Sequence, residues 1–240
     1  MIKPKVPIIN WSNLITKGLV FDSSMHEGGG TNSRENINKI NGTLTNSPTW
    51  TNDLFGKGLK FTDSTNYVVY ASGSAQNSVS RLTIEALVFP TAVNAAGESR
   101  VIHKGTSTLV KYFDLAIITG NKFEFDIGFA TADESWDTPA STLSKWHHLL
   151  VTYQFSGLGT VPIFYLDGVS QTLTRNTGSG AAGTDNTELV IGNRTTAGGA
   201  TKGWVGDISY VRYWNRILTA REAISLYTNP FQIYLNRSLR

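Results

Sequence analysis

Between residues 82 and 89 the chain alternates strictly, with Leu82, Ile84, Ala86 and Val88 on one face and Thr83, Glu85, Leu87 and Phe89 on the other, until Pro90 closes the run. A period of two predicts a strand with one face in a core. Shorter apolar runs bounded by Asn, Ser, Thr and Gly predict strands at 18–22, 58–62, 67–70, 100–103, 111–118, 122–129, 146–153, 161–166, 188–192 and 203–214. Asp167-Gly168 is the strongest hairpin signal, because a two-residue primed turn needs positive φ. One helix is predicted. Thr219 with Glu222 forms a capping box, Leu218 and Ala223 supply a hydrophobic staple, and Pro230 stops the helix.

Residues 1–17 read as an arm set extended by Pro4 and Pro7, with Ile8, Ile9, Trp11, Leu14 and Ile15 available for packing. Residues 229–240 form a second arm carrying Phe231, Ile233, Tyr234 and Leu235. The span between them, 18–228, shows no internal repeat and no linker, so it reads as one domain. That many short antiparallel strands must curl into a two-sheet β-sandwich or a barrel, so the expected class is all-β, with one short C-terminal helix.

Composition narrows the chemistry. Ser, Thr, Asn and Gly fill more than a third of the 240 residues and Glu is scarce, which disfavours helix. With no cysteine there is no disulfide framework, thiolate zinc site or cysteine nucleophile. The net charge of +3 is spread thinly without a basic run, so nucleic acid is not expected as a partner. No stretch approaches the length of a membrane span, and the first 25 residues lack a signal-peptide pattern. With Met1 as the start, that predicts no export by the general secretory route.

The order of segments resembles the concanavalin A-like lectin/glucanase superfamily, in its laminin G-like and pentraxin-like jelly rolls. The resemblance runs over 18–228. It is carried by GLVF with HEGGG, INGTLTNSPTW, FGKGLKF, LTIEALVFP, WHHLLVTY, FYLDG, LVIGN and the closing GWVGDISYVRYWNRILTAREAISLY. The Trp11 arm and the ending TNPFQIY also look like stand-alone members encoded by tailed bacteriophages. The resemblance implies a jelly roll and a lectin, hydrolase or structural role. Laminarinase-type members carry Glu-x-Asp-x-x-Glu on one strand; here Glu124 and Asp126 are present and Phe129 stands at the third position, so no catalytic residue is assigned. Calcium is the superfamily's usual ion. Its acidic ligands after Gly192 are replaced by Asn193 and Arg194, and Ser209 and Tyr210 stand where an Asp pair would precede Val-Arg, with Asp207 two positions earlier. No metal ligand or cofactor is therefore assigned. If calcium is bound, Asp22, Asp63 or loop carbonyls would hold it, and otherwise Asp207 is expected to meet a cation such as Arg212.

In the superfamily the Trp-His-His string is structural, so Trp146 is expected in the core with one histidine hydrogen-bonded at a strand edge; neighbouring His147 and His148 cannot share a zinc face. Trp50, Trp204 and Trp214 also fall at expected core positions. Trp136 differs, lying in the polar stretch 131–138. As an exposed indole flanked by Asp133, Glu134 and Asp137 it has the composition of a sugar site, and the alternative is that it folds over a sandwich edge or meets another subunit. Three functions are open. The favoured one is a non-catalytic module binding a polysaccharide or other glycan on a virion, assembled in the host cytoplasm. The second is a structural decoration or assembly protein whose arms cover neighbouring virion proteins rather than its own sandwich. The third is a glycan hydrolase.

Overall fold

A computed structural model describes residues 2–62, 65–71, 80–107, 110–129, 131–180, 188–194 and 201–235. The strands in chain order are β1 Leu19–Ser23, β2 Asn32–Arg34, β3 Asn41–Thr45, β4 Thr49–Asp53, β5 Gly56–Phe61, β6 Tyr67–Tyr70, β7 Arg81–Pro90, β8 Glu98–Ser107 and β9 Val110–Ile118. They continue with β10 Lys122–Ile127, β11 Glu134–Ala140, β12 His147–Gln154, β13 Ile163–Leu166, β14 Val169–Ser170, β15 Thr174–Asn176, β16 Leu189–Ile191 and β17 Gly206–Trp214. Helix α1, Ala220–Thr228, follows.

Two antiparallel sheets result. The eight-stranded sheet runs β14-β13-β12-β7-β17-β5-β4, with β1 also paired to β17; the nine-stranded sheet runs β15-β11-β10-β9-β8-β16-β6-β3-β2. The inward positions of β7 (Leu82, Ile84, Ala86, Val88) meet those of β9 and β10 (Phe113, Leu115, Ile117, Phe123, Phe125, Ile127) in one core. Period-two alternation in both sheets produces this sandwich. At the end of β13, Asp167 and Gly168 take φ of 51° and 79°, the primed turn that the Asp-Gly pair favours.

A bulge fixes the faces of β17. Ile208 pairs with Val88 and Tyr210 with Leu87, so Ser209 is the extra residue. A strict alternation would put Ile208, Tyr210 and Arg212 on one face; the inserted residue instead leaves Ile208, Val211 and Tyr213 in the core. Tyr210, Arg212 and Trp214 turn outward.

That outer face is covered. Ile9, Ile15, Leu87, Leu150, Tyr165, Tyr210, Trp214, Leu218, Ala223, Leu226, Phe231, Ile233 and Tyr234 form a second apolar cluster. The helix is capped as its sequence predicts: Glu222 N–H donates to Thr219 Oγ1 (3.3 Å), and Thr219 N–H donates to Glu222 Oε2 (2.8 Å). Both terminal segments pack on their own sandwich and on each other. Ile9 bridges Tyr234, flanked by Asn10 N to Ile233 O (2.7 Å) and Leu235 N to Ile8 O (2.8 Å). Trp11 and Leu14 nevertheless remain exposed.

Candidate functional site

Glu85 lies on the outward face of β7, a position that alternation alone assigns to solvent. Here it is wholly buried beside Arg212, its cross-strand partner on β17, which in turn pairs with Asp22 of β1. Arg212 Nε donates to Asp22 Oδ1 and Nη1 to Glu85 Oε2, each at 3.0 Å, while Nη1 also reaches the Pro230 carbonyl at 2.7 Å. Tyr234 OH donates to Asp22 Oδ2 (2.8 Å) and Asn36 Nδ2 to the same oxygen (2.8 Å). Tyr210 OH (3.0 Å) and His148 Nε2 (3.0 Å) both bond Glu85 Oε1. The guanidinium carbon sits 4.1 Å from the Tyr210 ring centre. Burial pushes the Glu85 carboxyl up, but Arg212 and then His148 outweigh it and hold the group below its ordinary value. Burial, then the Glu85 charge, pushes the Tyr210 phenol well up. The network is an ionised, hydrogen-bonded floor.

A cleft of about 340 Å³ opens beside this floor. Lys145, Trp146 and His148 come from the start of β12, Asp167 from the β13–β14 turn, Leu87 from β7 and Tyr210 from β17. Tyr227 of α1 and Pro230 make one wall, and Leu54 and Phe55 of the β4–β5 turn the other. Trp146 is half-buried against Phe89 (5.5 Å between ring centres), and Tyr227 is 45% exposed. Asp167 Oδ2 bonds His147 Nδ1 (3.0 Å), and its Oδ1 accepts from the His148 N–H (2.9 Å). Lys145 Nζ stands 3.7 Å from Asp167 Oδ2. Burial raises the Asp167 carboxyl, yet His147, the His148 N–H and Lys145 together bring it below its usual range. The cleft therefore presents partly exposed aromatic rings, a carboxylate acceptor and an ammonium donor.

A family model described as the concanavalin A-like lectin/glucanases superfamily, of laminin G-like type, matches residues 62–223. The chain belongs to that superfamily. Among solved structures, a Trypanosoma rangeli sialidase in complex with sialic acid is 21% identical with a TM-score of 0.67, over 92% of this chain and 34% of that one. The botulinum neurotoxin serotype G binding domain is 14% identical with a TM-score of 0.63, over 88% of this chain and 50% of that one. This laminin G-like chain spans about a third of the sialidase and half of the toxin domain, and at these identities the likeness is one of fold. No curated protein matches the sequence.

Two tryptophans exchange the environments expected of them. Trp136, expected exposed in a polar loop, is fully buried on β11, packed at 6.3 Å on Phe125 and 5.6 Å on Tyr153. Pairing with β10 and β15 makes 134–140 a strand and aims the indole inward, so no ring face is open to a sugar. Of its flanking carboxylates, Glu134 is buried and accepts from Arg175 Nε (2.6 Å) and Gly159 N (3.0 Å). Asp137 is buried near Lys122 Nζ (3.6 Å), and Asp133 is partly exposed ahead of the strand. The structure thus divides these four between core and edge. Trp146, expected in the core, lines the cleft instead, because it precedes β12 on the outer side of the sheet. Its signal was adjacency to the Asp167-Gly168 turn across the predicted hairpin.

The superfamily's other sites fare differently. Glu124 and Asp126 lie on β10 facing away from the core, Asp126 across from Asp114, while Phe129 is buried. Asp22 spends both oxygens on Arg212, Tyr234 and Asn36, whereas Asp63 lies outside the described residues. Among the described residues no group of three or more acidic or histidine side chains is placed to hold a metal ion. Asp207 does not meet Arg212. It pairs in register with Lys60, and burial raises its carboxyl, with Lys60 opposing.

Proposed function

We propose that this domain is a non-catalytic glycan-binding module whose site is the Trp146 cleft. The observation that carries the reading is the half-exposed Trp146 indole beside the ionised Asp167 and the Lys145 ammonium. A sugar stacks its apolar C–H face on an aromatic ring while its hydroxyls need charged or polar partners, and this cleft offers both within one small volume. Glycoside hydrolysis uses two carboxyl groups flanking the bond; Asp167 is the one carboxylate among the described residues lining the cleft, which supports binding without cleavage. The setting we propose is a virus particle, on the resemblance of the Trp11 arm and the TNPFQIY ending to phage-encoded proteins. Ile9, Ile15, Phe231, Ile233 and Tyr234 of the two arms are used on their own sandwich, which favours recognition over assembly as the role, although Trp11 and Leu14 stay exposed.

A glycan array probed with the purified protein tests this reading, with and without a calcium chelator. Specific binding that Trp146→Ala abolishes and Trp11→Ala leaves intact is the expected result. Silence across bacterial and host glycans would overturn it, and release of reducing ends that Glu124→Gln stops would replace it with hydrolysis.

A further inference from the structure

We propose that the cleft selects N-acetylated amino sugars and that His148 Nδ1 is the acceptor for the acetamido N–H. This rests on the glycan-binding reading and narrows it. His148 is 4% exposed, and its ring lines the cleft. Its Nε2 faces the carboxylate of Glu85, which also accepts from Arg212 and Tyr210, so of the two imidazole tautomers the geometry selects the one with its proton on Nε2, which leaves the Nδ1 lone pair free of the protein's own donors. Among the described residues that Nδ1 has no hydrogen-bond partner. A buried acceptor with its tautomer fixed and no donor supplied by the protein is built for a donor that arrives with a ligand.

The acetamido group presents three distinct points, and the cleft carries a counterpart to each. The N–H finds His148 Nδ1. The carbonyl finds the Lys145 ammonium, exposed on a flexible stem at the rim. The methyl finds the apolar lining of Leu87, Phe55 and Pro230. A plain hexose would press an unpartnered hydroxyl against that lining. An acidic sugar would bring a like charge to Asp167. The Tyr227 ring is tilted against that of His148, with centres 5.6 Å apart. Tyr227 rests on Gly168, where an added Cβ would lie 2.5 Å from the ring, and it is 45% exposed.

The test is calorimetric titration with N-acetylglucosamine and N-acetylgalactosamine oligosaccharides against counterparts bearing a hydroxyl or a free amine at the same carbon. The N-acetylated forms are expected to bind about tenfold or more tighter, because a site built for an N–H rejects analogues lacking it. His148→Phe should erase that preference while residual binding persists. Should this variant not fold, Lys145→Ala, at an exposed position, should lower affinity for the N-acetylated forms alone. Equal affinity for the hydroxyl counterparts, or a preference for acidic sugars, would overturn the selectivity and leave the glycan reading standing. Failure of every saccharide to bind, together with a silent array, would overturn both.

Discussion

Arg212→Met should destabilise the domain far more than loss of one surface ion pair would. The guanidinium is fully buried between Asp22 and Glu85, both also fully buried, so removing it strands two carboxylates in the protein interior. Breaking a buried pair in this way costs about 3–5 kcal/mol, against a total stability of about 5–15 kcal/mol for a typical domain. With an m-value of roughly 2–3 kcal/mol per molar urea, the midpoint should fall by about 1–2.5 M. The triple variant Asp22→Asn, Glu85→Gln, Arg212→Met removes the stranded charges and should recover most of the loss. Acid titration supplies an independent check. The Glu85 carboxyl is held below its ordinary 4.5, so its stabilising contribution is complete above that pH and is lost as pH falls through the folded-state value. Arg212→Met should flatten that acid limb. A midpoint shift of only a few tenths molar, or a triple variant no more stable than the single one, would refute the argument that these charges are mutually compensating.

Trp136→Ala should cost about 3–5 kcal/mol in urea melts, as expected for a large core side chain. Trp146→Ala should cost only about 1–2 kcal/mol and show its main effect in glycan retention. Lys3 is buried with Nζ on Asp53 Oδ2 (2.6 Å) and the Ser209 carbonyl (2.7 Å), and burial, only partly offset by Asp53, lowers its pKa to about 8. The unfolded chain therefore binds more protons between pH 8 and 10.5, and stability should rise by roughly 3 kcal/mol across that window; Lys3→Met should remove the slope. Gly192 has φ +84°, and a Cβ there would overlap the Phe61 ring, so Gly192→Ala should cost about 2–4 kcal/mol by thermal melting.

Where one face of a strand is apolar and the other polar, the sequence carries the structure almost to the residue. β7 and β12 come nearest to this, and the Asp167-Gly168 turn and the capped helix are equally legible, whereas in β17 the Ser209 bulge breaks the alternation. β11 was not legible, because ESWDTPA holds a single large apolar residue; its polar positions are buried through partners from elsewhere, Arg175 on Glu134 and Asn176 on Ser135. The Thr- and Asn-rich β2 to β4 fail the same test. The floor of the cleft was hidden for a different reason. A charged residue on the outward face of a strand reads as solvated, and nothing local in Glu85 or Arg212 announces that two chain termini will fold over them. Trp146 was read as core from the company it keeps in the WHHLLVTY string, and only the three-dimensional position of the β13–β14 turn and α1 shows that it opens onto a cleft.

The Ile9–Tyr234 bridge joins antiparallel segments whose free ends leave on the same side. Tension applied between the two ends would therefore load its hydrogen bonds one after another rather than together, but on the N-terminal side it first reaches Lys3, whose N–H donates to the Phe55 carbonyl and whose Nζ is held by Asp53 and the Ser209 carbonyl. Once Lys3 has let go, the bridge would open and Tyr234 would lift from Asp22, exposing the charged layer to water. In mechanical terms the paired termini act as a fuse set ahead of the sandwich.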